Sequence, residues 1–191
     1  MKAIPLRPAD FVAQRWRNGG GSTTQLAIHE QEGRWLWRLS LAEISRSGPF
    51  SDFTGYRRIL VVLAGTGVRL AIQGRPALEL RPFDPPCHFD GAARTDCMLL
   101  EGPVKDLNLM VHETLGEATL DILRGSVRRT LTADWALAFA IDGPCRALIG
   151  NADVRLEAGE LLRIDEARGH ALALEAEDAG TRIALATLRA S

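Results

Sequence analysis

The chain has 191 residues, with 23 Lys and Arg against 24 Asp and Glu, for a formal net charge of -1. That balance excludes the electrostatic grip of a nucleic-acid or anionic-membrane binder, and a hydrophobic fraction of 46% excludes a disordered chain. The opening MKAIPLRPADF lacks the apolar run of a signal peptide, and no window approaches the ~20 apolar residues of a membrane span, so a cytoplasmic protein is expected. Cys87, Cys97 and Cys145 form no CxxC pair and are odd in number, so they read as reduced thiols packed as small hydrophobes.

In chain order, the first marked segment is WRNGGGSTTQL (16–26). Its glycines predict a tight turn with positive φ. It is not a phosphate loop, because it lacks the Gly-Lys-Ser/Thr ending and TQLAIHE reads as a strand rather than a helix. RWLWRLSLAEI (34–44) alternates, placing Leu36, Arg38, Ser40 and Ala42 on one face and Trp35, Trp37, Leu39 and Leu41 on the other. RRILVVL (57–63), the turn AGTG, VRLAIQ, and ALELR predict a meander of hairpins. DCMLLEG and VKDLNLMV predict another hairpin around Gly102-Pro103. ETLGEATLDIL (113–123) mixes helical spacing with Gly116 and the β-branched Thr119 and Ile122. From WALAFAI onward the rhythm of short strands and turns resumes. The expected fold class is all-β, a sandwich or barrel.

A displacement of 76 residues brings Gly67 onto Gly143, Gly74 onto Gly150, Ile72 onto Leu148, Leu80 onto Leu156 and Leu63 onto Phe139. This repeat favours two similar β-barrels, 1–115 and 116–191. The copies differ in polarity. Asp106, Asn108 and Met110 alternate on one strand, and the displacement sets Arg182, Ala184 and Ala186 against them. If the Arg38/Ser40 and Asp106/Asn108 faces point inward, the first barrel holds a polar cavity and the second is a packed structural partner. The alternative is that these polar faces simply meet water.

WRNGGGSTTQL (16–26), WRLSLAEI (37–44), GPFSDFTGYRRILVVLAGTG (48–67) and KDLNLMV (105–111) together resemble the HutD/Ves family, over roughly the first 112 residues and in the expected order. The resemblance implies a bicupin, two cupin-type β-barrels in one chain, and an association with histidine utilisation in bacteria. It implies a protein that binds a small acidic intermediate and restrains induction of the pathway. A second branch of the family is linked to stress responses.

Many cupins hold a metal on two His, a Glu and a further His. The segment 48–67 contains neither His nor Glu, and His29, His88, His112 and His170 show no HxH or HxxxH spacing, so no metal and no other cofactor is expected. No G-x-S-x-G elbow supports nucleophilic catalysis. The positive expectation is anion recognition. The resemblance identifies Arg58 as the arginine that follows the F-x-G segment, with Arg57 extra, and Arg38, Arg58, Ser40 and Asn108 would converge in the first barrel, where a guanidinium fork matches a carboxylate and Asn108 both donates and accepts. Phe50, Phe53, Phe89 and Met110 would supply apolar walls, Asn18 would line the cavity, and Asp106 would orient one arginine or form a structural ion pair. The resemblance implies as ligand class a small carboxylate metabolite of the urocanate or formyl-/formimino-glutamate type, and a monomer or homodimer without nucleic acid or membrane is expected to hold it. Two other readings stay open. One is a cofactor-independent isomerase or hydrolase using Asp106 or His88 as base. The other is a stress-related or protein-partner role without a small ligand, which would leave Arg38 and Arg58 in protein ion pairs and no cavity.

Overall fold

The computed structural model describes Met1–Ser191 and is built almost entirely of strands, with one 3-10 turn at Pro8–Asp10. The chain runs through β1 (Lys2–Leu6), β2 (Val12–Arg15), β3 (Gly21–Gln31), β4 (Arg34–Ile44), β5 (Gly48–Pro49), β6 (Tyr56–Ala64), β7 (Val68–Ile72), β8 (Leu78–Leu80), β9 (Cys87–Asp90), β10 (Thr95–Leu99) and β11 (Val104–His112). It continues through β12 (Ala118–Arg124), β13 (Val127–Thr130), β14 (Trp135–Ala140), β15 (Cys145–Ile149), β16 (Ala152–Leu156), β17 (Leu161–Asp165), β18 (Ala171–Ala176) and β19 (Arg182–Leu188). No helix is long and apolar enough to cross a membrane.

Val12–Thr114 form one unit, and Leu115–Ser191 form the other together with Met1–Phe11. The expected 1–115 segment therefore differs from the observed unit at its start. The cause is β1, which pairs antiparallel with β17 from Lys2↔Asp165 to Leu6↔Leu161 and lays Ala3 against that unit's core.

In the unit 12–114, a six-stranded antiparallel sheet (β2-β3-β4-β11-β6-β9) faces a four-stranded one (β5-β10-β7-β8). Leu60, Val62 and Cys87 of the first sheet meet Val68, Leu70, Ile72 and Cys97 of the second in one apolar cluster. All three cysteines are free and buried. The expected meander is not what forms. β7 and β8 are a true hairpin, but β6 pairs with β11 and β9 while β7 pairs with β10. The Gly102-Pro103 segment likewise joins β10 and β11, which lie in different sheets. Local alternation gives the strands, but closing two sheets over one core makes the chain cross between them rather than fold back on its neighbour.

The other unit repeats the plan. β12-β19-β14-β17 lie side by side as β4-β11-β6-β9 do, and β13-β18-β15-β16 correspond to β5-β10-β7-β8. The ambiguous segment 113–123 ends in strand β12, where Thr119 and Ile122 suit the pleat and pair with β19. The displacement read from the sequence holds for β6 and β14 but not throughout. Inward-facing Val68, Leu70 and Ile72 match Cys145, Ala147 and Ile149, one residue further along. Asp106 stands opposite Val62 as Leu185 stands opposite Ala138, and Asn108 opposite Leu60 as Thr187 stands opposite Ala136. Leu185 and Thr187, not Arg182 and Ala184, thus occupy the corresponding places, because an odd slip exchanges the faces of a strand. The interior of this second unit is apolar, built on Ala136, Ala138, Ala147, Leu162, Ile183 and Leu185. Its polar residues near the Thr187 row are matched to each other, Thr119 Oγ1 to Thr187 Oγ1 at 2.9 Å and Arg129 to Asp121 at 3.3 Å.

Candidate functional site

Cross-strand register places the polar residues of the unit 12–114 in rows. Arg38 of β4, Met110 of β11, Arg58 of β6 and Phe89 of β9 stand side by side. Two residues along, Gln25, Ser40, Asn108 and Leu60 make the next row, and Thr23, Ala42, Asp106 and Val62 the third. Facing side chains in a row are neighbours on one surface of the sheet. That surface is the interior: Ser40 and Asp106 are each 2% exposed, Arg58 6% and Asn108 7%. The opposite face is buried as well, through Trp37, Leu39, Leu107 and Leu109. The water-facing alternative for the polar residues is therefore not what the fold builds.

The rows floor a cavity of about 440 Å³. Its lining includes nine of the ten residues expected from the sequence: Asn18, Arg38, Ser40, Phe50, Phe53, Arg58, Asp106, Asn108 and Met110. The tenth, Phe89, lies behind Arg58 and contacts its guanidinium rather than the open space. His88, named as a possible base, is exposed on the opposite pleat from Cys87 and Phe89 and lines no part of the cavity.

The phenylalanines do more than form apolar walls. The Arg58 guanidinium carbon lies 4.7 Å from the Phe50 ring centre, 4.8 Å from Phe89 and 5.7 Å from Phe53. That of Arg38 lies 4.9 Å from Trp35 and 5.4 Å from the same Phe53. Phe53 is thus shared between the two cations, whose charge its ring face attracts. Local backbone fixes it. Phe53 N–H donates to Gly91 O at 2.9 Å and Gly91 N–H to Tyr56 O at 2.7 Å. A Cβ on Gly91 would sit 2.4 Å from Phe53 O, so only glycine permits this approach. Phe50 is held similarly, its N–H donating to Thr95 O at 2.9 Å.

Neither guanidinium has an acidic partner. Arg38 and Arg58 form no ion pair, and the Nε of each is buried without a hydrogen-bond acceptor. Arg38 Nη2 donates only to the soft Met110 Sδ, at 3.2 Å. Burial pushes the Arg58 pKa down to about 10, against the opposing attraction of Asp106, and burial lowers that of Arg38 as well. Arginines elsewhere do find carboxylates, as Arg168 finds Asp134 at 2.8 Å.

Asp106 departs from both roles expected of it. It forms no ion pair and orients neither arginine, and its Oδ1 is buried with no partner. Burial pushes its pKa up to about 7 despite the attraction of Arg58. Asn108 Oδ1 is also buried and unpartnered, and Ser40 Oγ reaches only Asn108 O, at 3.5 Å. Arg38 Nε, Arg58 Nε, Asp106 Oδ1 and Asn108 Oδ1 thus belong to side chains that line one space and meet no hydrogen-bond partner among the protein's own atoms.

The mouth is formed by residues not among the expected site residues: Gln14 and Arg15 of β2, then Trp16 and Arg17, which open the marked WRNGG segment. Trp16 Nε1–H donates to Thr23 Oγ1 at 2.8 Å, and Asn18 Oδ1 accepts Gly20 N–H at 2.9 Å, which shapes the turn. Gly19 has φ of 67° as the turn requires, whereas Gly21 is needed for space, a Cβ there falling 2.2 Å from Glu43 O. The available signal was the WRNGG segment itself, with arginines flanking its tryptophan. Thr23, Ala42, Pro49 and Ser51 complete the lining and could be placed only once register was known.

The lining contains no His, Cys or Glu, and Asp106 is its one carboxyl. No three His, Cys, Asp or Glu side chains group anywhere in the chain. This donor set does not fit the metal that many barrels of this type carry.

Comparison with known proteins agrees with this architecture. A Pseudomonas putida protein described as an uncharacterized 21.2 kDa protein in the hutC 3′ region is 37% identical over 163 residues, covering 84% of this chain and 85% of that one. A conserved protein of unknown function from Pseudomonas aeruginosa superposes with a TM-score of 0.92 at 31% identity, covering 100% of both chains. The structure of HutD from Pseudomonas fluorescens, described for a formate condition, superposes with a TM-score of 0.86 at 30% identity, again covering 100% of both. The HutD family model matches residues 8–184. An all-β bicupin of this likeness, matched along nearly its whole length, belongs to the HutD family.

Proposed function

We infer that this protein binds a small carboxylate in the cavity of the unit 12–114 and serves, without a metal, as a sensor or governor of histidine utilisation. The family's link to that process rests on the hutC 3′ region from which the Pseudomonas putida relative is named. The observation that carries the binding role is the pair Arg38 and Arg58: two guanidiniums against aromatic rings, with no acidic partner and with unspent N–H donors. An unpaired buried charge costs several kcal/mol, and an anion relieves that cost. A carboxylate meets the guanidinium edges in the plane of each fork, while the ring faces remain occupied by Phe50, Phe53 and Trp35. Asn108 and Ser40 in the adjacent row suit a second polar end, such as an amide, formyl or imidazole group. Arg15 and Arg17 at the mouth extend the positive field toward solvent and favour anion entry.

A role without a small ligand would call for paired arginines and a filled barrel, so the absence of an acidic partner for Arg38 and Arg58 and the cavity beside them support the binding reading. An enzymatic role has one specific support, the buried Asp106 carboxyl, the only acid or base in the lining apart from arginine. The test is a thermal-shift screen with histidine, urocanate, formiminoglutamate and formylglutamate. A ligand at ~100 times its Kd adds about 2.7 kcal/mol of stability. A shift with one of these acids that is lost in Arg38→Ala supports binding, and disappearance of that acid over hours, stopped by Asp106→Asn, adds turnover. No shift with any of them overturns the proposal.

A further inference from the structure

Asp106 is the one acidic group in a cavity otherwise arranged for an anion, and an ordinary carboxylate there would repel the ligand. Its surroundings do not hold it as a carboxylate. Its cross-strand neighbours are Ala42 on β4 and Val62 on β6, neither of which donates a hydrogen bond. The pairing shift between Lys105 and Asp106 sets this residue apart from the regular ladder. Asp106 is 2% exposed, its Oδ1 meets no donor, and no guanidinium is within ion-pair reach. The charged and titratable groups around it are Arg58 from β6, Arg38 from β4 and Cys97 from β10, with Arg15 and Arg17 at the mouth. The Cys97 thiol is pushed up to about 12, chiefly by burial, so it stays neutral and donates no charge to the balance.

We propose that Asp106 enters the complex as a carboxylic acid, its O–H donating a hydrogen bond to the bound carboxylate, so that anion binding takes up one proton. This rests on the binding role proposed above. Two carboxyl groups confined to one desolvated site share a proton, since the second negative charge raises the proton affinity of the first. Burial has already brought Asp106 to about 7, so the proton is available near neutral pH. An anion that cannot accept this hydrogen bond loses the contact, and a cavity presenting a carboxylic acid beside two guanidiniums discriminates in favour of carboxylates over neutral amides.

The test is calorimetric titration with formylglutamate, whose own carboxylates stay ionised between about pH 6 and pH 9. At about pH 8, titrations in two buffers of different ionisation enthalpy are expected to show uptake approaching one proton per ligand. Affinity is expected to fall about tenfold per pH unit above the Asp106 titration and to level off below it. Asp106→Asn, whose amide donates at every pH, is expected to bind with no such slope and no uptake. Binding by the unmodified protein with neither uptake nor slope overturns this inference and leaves the binding role standing. An unchanged slope in Asp106→Asn also overturns it, by assigning the proton to another group. Absence of binding by the unmodified protein, to formylglutamate and equally to urocanate and formiminoglutamate in the same titration, overturns both. If Asp106→Asn does not fold, the uptake measurement on the unmodified protein decides alone.

Discussion

Replacing Arg58 by methionine separates what the cavity costs the fold from what it gains with a ligand. Methionine keeps the long stem beneath Phe50, Phe53 and Phe89 and removes the charge. Burial lowers the Arg58 pKa to about 10, roughly two to three pH units below its ordinary value. At about 1.4 kcal/mol per pH unit, the buried charge costs about 3 kcal/mol. Contact with the three rings returns about 0.5–1 kcal/mol each, or about 2 kcal/mol together. The balance predicts that Arg58→Met is more stable than the unmodified protein by about 1 kcal/mol without ligand, a rise in Tm of about 2–4 °C. Under saturating formylglutamate the order reverses, because the unmodified protein gains about 2.7 kcal/mol at ~100 times the Kd and the variant gains nothing. The assay is urea and thermal unfolding with and without the acid. A variant less stable than the unmodified protein by more than about 1 kcal/mol in the absence of ligand would refute the reasoning, since Arg58 would then be a structural cation stabilised by its rings.

Two further outcomes follow from the same geometry. The folded protein holds the Asp106 proton to about pH 7, whereas the unfolded chain releases it near 3.8, so the contribution of this group to stability falls as pH rises through that window and is constant above it. Asp106→Asn is therefore expected to match the unmodified protein near pH 4 and to exceed it above pH 7 by up to about 4 kcal/mol, and equal stabilities across the range by chemical denaturation would contradict the buried-acid assignment. Phe53→Leu removes the ring shared by Arg38 and Arg58 and is expected to lower the stability of the ligand-free protein by about 1–2 kcal/mol in urea unfolding, and unchanged stability would contradict the role of the ring as a platform for both guanidiniums.

The alternation of RWLWRLSLAEI and KDLNLMV carried most of the site, because a strand's period of two fixes which residues share a face. Arg38, Ser40, Asp106 and Asn108 could be grouped before any pairing was known, and the family motifs supplied Arg58, Phe50 and Phe53. Pairing itself was not legible. Nothing in the local pattern of DCMLLEG, which buries alternate side chains, or of RRILVVL, which is buried on both faces from Arg58 to Leu63, says whether the strand pairs with its neighbour or crosses to the facing sheet. The same limit affected the repeat. The displacement holds for β6 and β14 but slips by one residue at β15 and by three at β19, and such odd slips exchange the residues that face inward. The role of the phenylalanines as platforms for guanidiniums was out of reach for a further reason. Phe53 lies in a loop, and its place between Arg38 and Arg58 depends on the close approach of Gly91, a contact with no sequence periodicity. Asp106 was read as a partner for arginine because an acid there would keep the cavity from carrying bare positive charge. Here the rows set Arg58 beside Met110 and Asp106 beside Val62, two rows apart, and no ion pair forms.

The most direct measurement is a crystal structure of the protein grown with saturating formylglutamate, with Arg38→Ala crystals treated identically. The expected result is a carboxylate bridging the guanidinium edges of Arg38 and Arg58 beneath Asn108, with a second oxygen within hydrogen-bond distance of Asp106, and no ligand in the variant. A ligand bound elsewhere on the chain, or in the same place in both proteins, would contradict anion recognition by the arginine pair.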